Sequence, residues 1–539
     1  LPENRRMVFR IGINLGDVIQ EGDRIYGDGV NIAARLESLA DPGGICVSKT
    51  AFDHIETKLP LGYEYLGEQT VKNIAKPVGA YKVLMEPRVT VAGEKAKAPP
   101  VWRRKAILAG GVAFVVVVIA ALIWNFYFRP PPIEPASPEK MAYPLPDKPS
   151  IAVLPFVNMS EDPKQEYFSD GLTEEIITAV SKTPKMLVIA RNSTFSYKGK
   201  AVKVNQVAEE LGVRYVLEGS VRKAGDRVRI TAQLIDALTG HHLWGERYDK
   251  DLKDIFALQD EITKKIITAM QVELTEGEQA NVYAKGTDNL EAYLKCLQAR
   301  ELAIHFNKED NVVARRLAEE AIALDPQYSH AVYLLGLTHM MDVWLKTTKS
   351  PKQSIGRAIE LAQKAIALDY SDAGAHGLLG FLFTMARQHD KGIAEAEKAI
   401  SLDPNSGKAH QFLGLALRFG GRPNDAIPVM EKAIRLDPFA PSNYIFNLGL
   451  AYLFAGQHEK AVQHCKKATN REPNNLGAHL ALAVACSVSG RDDEARAVAA
   501  EILRIEPKFS VEYFSRTLAY KNQADKEIFI TALRKAGLK

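Results

Sequence analysis

The sequence predicts a multidomain chain: an α+β fragment, one transmembrane helix, a small α/β domain and an all-α superhelix of repeated helix pairs. Three observations carry that reading. Residues 106–124 form an uncharged run of 19, strand-like and helix-like segments alternate on both sides of it, and an acidic residue recurs at near-constant spacing through the C-terminal half. The expected boundaries are 1–88 for the fragment, 89–105 for a linker, 106–128 for the span and 129–149 for a proline-rich linker. The α/β domain follows at 150–281, the repeats at 289–510 and a helical cap at 511–539.

Length and composition agree with several folded domains. A chain of 539 residues exceeds what one core fills, and 46% hydrophobic with 25% charged residues is ordinary for folded protein. A net charge of +4 gives no reason to expect nucleic acid, and the sequence holds no helix-turn-helix, zinc-finger or RNA-binding signature. Cys46, Cys296, Cys465 and Cys486 are too few and too scattered for a disulfide framework or a zinc site. Residue 1 is Leu, close to a strand, so the chain reads as a piece of something longer.

In the N-terminal part, MVFRIGINLGDVI alternates as a strand does and ends in a turn. RIYGDGVNIAARLESLADPGGICVS reads as a loop, a helix from about Val30 and a strand, and VKNIAKPVGAYKVL closes with another strand. Asn31 and Arg35 lie four residues apart, on one face of that helix. The pieces RIGINLGDV, GDGVNIAARLE, GGICVS and VKNIAKPV, in that order, resemble the C-terminal half of the class III adenylate and guanylate cyclase catalytic domain. The resemblance implies that Asn31 orients the ribose and that Arg35 meets charge developing on the transferring phosphate. It implies a phosphate contact for Lys72, although Asn73 stands where glycine is usual, and a base-selecting position at Arg24, an atypical residue there. Asp28 reads as a helix cap rather than a substrate ligand. The implied cofactor of the intact parent is Mg2+ or Mn2+, its substrate ATP or GTP, and its assembly a homodimer through the cyclase domain. The family's metal-binding aspartates lie upstream of these motifs, so no metal ligand is expected in this chain, and alone it is expected to be inactive.

Residues 106–124, AILAGGVAFVVVVIAALIW, would span roughly 28 Å as a helix, about the thickness of a bilayer core. Arg103, Arg104 and Lys105 precede the run and only Arg129 follows closely, which puts the N-terminus in the cytoplasm. The expected location is therefore a bacterial inner membrane, single-pass, with the C-terminal domains periplasmic. Eight prolines in residues 130–149 suggest a semi-rigid spacer.

Beyond it, SIAVLPF reads as a strand, Gly171 to Lys182 as a helix, LVIAR as a strand and Val204 to Leu211 as a helix. A hairpin should turn at Ala224-Gly225-Asp226. The segments IAVLPFVNMS, YFSDGLTEEI and VLEGSVRKAGDRVRITAQLID resemble the TolB-like domain of bacterial envelope proteins. His241 and His242, adjacent on a strand, point to opposite faces and are poorly placed to share an ion.

Asp325, Asp369, Asp403, Asp437, Glu472 and Glu506 are separated by 44, 34, 34, 35 and 34 residues, and all but Asp369 precede a proline. The long first interval is one repeat plus ten residues, placed near Asp342 to Pro351. Four residues before the acidic positions stand Ala321, Ala365, Ala399, Ala433 and Ala468, with Ile502 in the last repeat. Gly336, Gly380, Gly414 and Gly449 mark a second register. This pattern resembles the tetratricopeptide repeat, and implies about six helix pairs whose concave face takes a protein or peptide. First-helix residues such as His410 and Gln411 are expected on that face. Cys465 and Cys486 read as two buried thiols or as a disulfide. Together these parts suggest a membrane-bound class III cyclase with an external sensing or partner-binding region. The alternative is a non-catalytic envelope scaffold carrying a degenerate cyclase remnant.

Overall fold

The structure, a computed structural model, describes residues 9–15, 19–21, 24–26, 28–56, 58–59, 61–69, 77–87, 134–282 and 286–539. Two compact units divide the chain, Leu1–Arg129 and Pro130–Lys539.

In the first unit a four-stranded sheet runs β1 (Ile11–Ile13), β4 (Ile45–Ser48), β6 (Val78–Pro87), β5 (Leu61–Gln69). β1 pairs parallel with β4, and the rest is antiparallel. β2 (Ile19–Glu21) and β3 (Arg24–Tyr26) form a separate hairpin. Helix α1 (Asp28–Leu39) lies on the sheet because Leu36 and Ala40 bury against Cys46 and Ala80. Gly12 permits this approach: a Cβ there would stand 2.1 Å from the Ala33 carbonyl oxygen and 2.3 Å from the Glu37 nitrogen. Helix α2 (Lys49–Ile55) starts where the Ser48 hydroxyl accepts from the Ala51 N–H (3.2 Å).

The membrane expectation is corrected here. No helix among the described residues is long and apolar enough to cross a membrane. The expected span, residues 106–128, lies outside the described residues. The fold class is therefore stated without a transmembrane helix, and the single-pass inner-membrane location, which depended on that helix, falls with it.

The second unit begins with an α/β domain. Its sheet runs β12 (His241–Asp251), β11 (Arg227–Asp236), β10 (Tyr215–Ala224), β7 (Ser150–Val153), β9 (Leu187–Val188), and β8 (Val157–Asn158) also pairs with β10. The β10–β11 hairpin turns at Gly225, whose φ of 58° suits a residue without a Cβ. Helices Glu166–Ser181 and Ile255–Ala269 cover one face through Phe168, Leu172, Ile262 and Ile266, and helix Val204–Leu211 covers the other through Val207 and Leu211. The segment expected as a spacer is tied down where it is described: Ala136 N–H donates to the Ala237 carbonyl (2.7 Å) and Ala142 N–H to that of Glu209 (2.8 Å).

Six helix pairs follow, from Leu290–Ile304 with Lys308–Leu324 to Leu476–Val488 with Asp492–Ile505. Each second helix ends on the repeating acidic residue, whose N–H caps the carbonyl four residues back: Asp325 on Ala321, Asp403 on Ala399, Glu472 on Ala468. Those alanines are fully buried, so the helices of a pair close tightly. The ten extra residues of the second repeat extend helices Ser329–Trp344 and Pro351–Leu368 and the loop between them. Cys465 and Cys486 are buried free thiols, so the disulfide alternative is not realised.

Candidate functional site

In the first unit the candidate chemistry sits on α1. Its inward residues Ile32 and Leu36, with Ala40 just past its end, face the sheet, which turns Asn31 and Arg35 outward, one turn apart and both exposed. The start of the helix is fixed from below. Asn14, just past β1, donates from Nδ2 to the Gly29 carbonyl (3.2 Å), and the Thr50 hydroxyl donates to the Leu15 carbonyl (3.3 Å). Asn14 thus ties the β1 end to the α1 start, a positioning role that the sequence reading missed. Its signal was an amide directly after a strand whose motif continues into a helix. Lys82, on β6, pairs with Asp41 in the turn after α1, which holds the Asp41 carboxyl below the usual range. Cys46 is fully buried against Leu36, Ala40 and Ala80 as a packing group, and that burial pushes its thiol up.

The other expected site residues are less well assembled. Arg24 opens β3, opposite Glu21 in the hairpin, and Asp28 is the first residue of α1. Lys72 lies outside the described residues. An amide and a guanidinium do not make a divalent-cation site, and among the described residues no group of three or more His, Cys, Asp or Glu is placed to hold a metal ion. His241 and His242 are exposed on β12.

The second unit presents a different kind of site. Its repeats do not offer an open concave face along their whole length, because the α/β domain is seated against them. Arg300 reaches Glu174 (3.3 Å) and Glu175 (3.0 Å), and Arg435 donates to the carbonyls of Leu211 (3.1 Å) and Gly212 (2.7 Å). Ser193 donates to Asp437. Towards the C-terminus, residues Leu518–Tyr520 are buried, with Arg418 Nη1 donating to the Tyr520 hydroxyl (2.6 Å) and Lys521 N–H to the Phe419 carbonyl (2.8 Å). His410 and Gln411, expected on a solvent-facing surface, are buried as well.

Comparison with known proteins fits this division. Residues 2–84 match the adenylate and guanylate cyclase catalytic domain, and residues 386–441, 413–475 and 452–515 match tetratricopeptide repeats. The chain carries a cyclase catalytic fragment and tetratricopeptide repeats. Residues 147–265 match the second domain of HilA/YgeH-like transcriptional regulators, and these matches lend no support to the expected TolB-like likeness. "Putative adenylate cyclase 3" of Rhizobium meliloti (strain 1021) is 40% identical over 394 residues, covering 72% of this chain and 60% of that protein. The chain thus spans less than two thirds of that relative's length. The crystal structure of an adenylate/guanylate cyclase/hydrolase from Silicibacter pomeroyi is 41% identical, covering 15% of this chain and 49% of that one with a TM-score of 0.15. Pseudomonas aeruginosa pilF is 18% identical, covering 42% of this chain and 97% of that one with a TM-score of 0.33.

Proposed function

We propose that the chain works as part of a class III nucleotide cyclase, pairing as a homodimer through the cyclase domain, with the repeats as its partner-binding half. The observation that supports this is the exposed Asn31–Arg35 pair on the outer face of a helix whose start Asn14 fixes. In this reading the Asn31 amide holds the ribose of ATP or GTP, Lys72 contacts a phosphate, and the Arg35 guanidinium faces the charge that grows on the transferring phosphate. A fixed donor aimed at developing charge acts without reorganising during the reaction. The α1 donors do not fit a metal, so no step is assigned to one here. Arg24 at the base-selecting position leaves both purines as substrates. The test is turnover of ATP and GTP by the intact cyclase. Arg35→Ala lowers it by about a hundredfold, as loss of such donors does; an unchanged rate sinks the reading.

A second reading, an interaction scaffold with a degenerate cyclase fragment, is favoured by Arg24 and Asn73, which depart from the motif. It requires that the intact protein convert neither nucleotide.

A further inference from the structure

The tail of the second unit turns back onto its own repeats. Between helices Val511–Ser515 and Gln523–Lys535, residues 516–521 cross the C-terminal ends of three successive first helices, Ala373–Met385, Gly407–Phe419 and Ser442–Phe454. We propose that this segment is a plug in the groove of the repeats, and that an acidic peptide segment of a partner displaces it. The proposal rests on the reading of the repeats as the partner-binding half, not on the cyclase chemistry.

The plug is held as a short bound segment would be. Leu518, Ala519 and Tyr520 are buried, while Thr517 and Lys521 on either side are exposed. Arg387 donates to the Leu518 carbonyl (3.3 Å), and the Lys521 N–H donates to the Phe419 carbonyl (2.8 Å). Between those bonds the Tyr520 ring meets Phe419 and Phe454, with centroids 4.9 and 5.2 Å away. Three buried residues are a small hold, of the kind that opens locally while the rest of the domain stays folded.

Charge says what the groove would rather hold. Arg418 is 3% exposed, and a buried guanidinium is costly unless it is paired and fully hydrogen-bonded. Its Nη1 donates to the Tyr520 hydroxyl (2.6 Å) and its Nη2 to Asn447 Oδ1 (3.2 Å), both neutral, and its Nε is buried without a partner. The acceptor of Arg387, a carbonyl, is neutral too. The cations of the plug are matched elsewhere, Arg516 by Glu512 (2.7 Å) and Lys521 by Asp390 (3.1 Å). Asp525 is pushed up by burial and only partly held down by Arg418, with no ion pair between the two. Two turns back on the same face as Arg418, Gln411 is 2% exposed with neither amide atom bonded, so the groove holds a second polar group that the plug does not serve. A carboxylate in place of the Tyr520 hydroxyl gives Arg418 a charge-assisted bond, roughly twice as strong as a neutral one.

The test uses the full chain and two labelled peptides copied from residues 515–522, one with Tyr520→Glu and one with Tyr520→Gln, followed by fluorescence anisotropy. A Tyr520→Ala chain, with the plug loosened, binds the Glu peptide about tenfold or more tighter than the parent chain does, and about tenfold or more tighter than it binds the Gln peptide. Adding Arg418→Gln removes the advantage of Glu over Gln. In the parent, saturating Glu peptide speeds amide exchange at 517–521, a measurement that decides the matter without any variant if Tyr520→Ala does not fold. Equal binding of the two peptides, no gain on loosening the plug, or unchanged exchange at 517–521 under saturating peptide overturns the proposal. Saturable peptide binding that leaves 517–521 protected would sink the plug alone and keep the repeats as a partner-binding half.

Discussion

The side-chain amide of Asn405, in the turn between two repeats, donates to the carbonyls of both Ser181 and Thr183, each at 2.9 Å, and its Oδ1 accepts from the Val188 N–H at 3.3 Å. One residue, 2% exposed, thereby closes three backbone groups of the α/β domain that no strand or helix serves. The consequence is that the two domains share a stability. Asn405→Ala leaves two carbonyls and one N–H buried and unpaired, at a cost of about 1–3 kcal/mol for the first such group and more for the set. Denaturant unfolding should show a lower midpoint, and the α/β domain should exchange amide hydrogen faster around 181–188. Unchanged exchange there would show that the contact is not made in solution.

The same turn carries a pH dependence. Burial, only partly offset by the Ser181 hydroxyl, two backbone N–H donors and the Lys182 charge, pushes the Asp403 carboxyl up to about 6. A raised carboxyl means that the folded state binds the proton more tightly than the unfolded chain, whose value lies near 3.9. This group's contribution to stability is therefore full below about 3.9 and lost as pH rises through about 6, amounting to up to about 3 kcal/mol. Asp403→Asn should melt above the parent at pH 8 and close to it at pH 4. Asp437, also raised by burial first of all, adds a slope of the same sign, which the difference between parent and variant removes. An equal gap at both pH values would place Asp403 in water.

Glycines at the helix crossings differ in what they face. A Cβ on Gly414 would stand 2.4 Å from Met430 Cγ, an unbranched chain able to yield, whereas one on Gly380 would meet the Ala396 nitrogen and Gly392 carbonyl oxygen, both at 2.9 Å. Gly414→Leu is expected to cost about 1–3 kcal/mol through overpacking, and Gly380→Leu distinctly more, because backbone has nowhere to move. Thermal melts of the two variants decide this. If Gly414→Leu melts like the parent, the crossing is looser than the structure has it.

Much of this packing was legible beforehand because it repeats. An alanine four residues before five of the six acidic caps, and a glycine on a second register, recur where two helices meet, so a period alone locates them. Single-copy contacts leave no such trace. Asn405 reaches residues more than two hundred positions away, and the burial of His410 and Gln411 could not be read from a helix that looks half polar. The fragment was legible from its motif order, but Asn14 was not, since its bond to Gly29 depends on how β1 and α1 stack. The apolar run 106–124 rests on composition and flanking charge alone, and periodicity offers no check on it.

The last prediction separates the seat of α1 from its donors. Gly12 lies under the helix, and a single methyl there would fall 2.1 Å from the Ala33 carbonyl oxygen, a distance that real atoms do not tolerate. Gly12→Ala must therefore lift or rotate α1 and carry Asn31 and Arg35 with it. In the intact cyclase it should lower turnover and also loosen the fragment, seen as faster amide exchange along 31–40. Arg35→Ala, on the exposed face, should lower turnover by about a hundredfold while leaving exchange along α1 nearly unchanged. Glu37→Ala, exposed on the same helix, should change neither. Should Gly12→Ala and Glu37→Ala behave alike, the close stacking of α1 on β1 would not be what holds Asn31 and Arg35 in place.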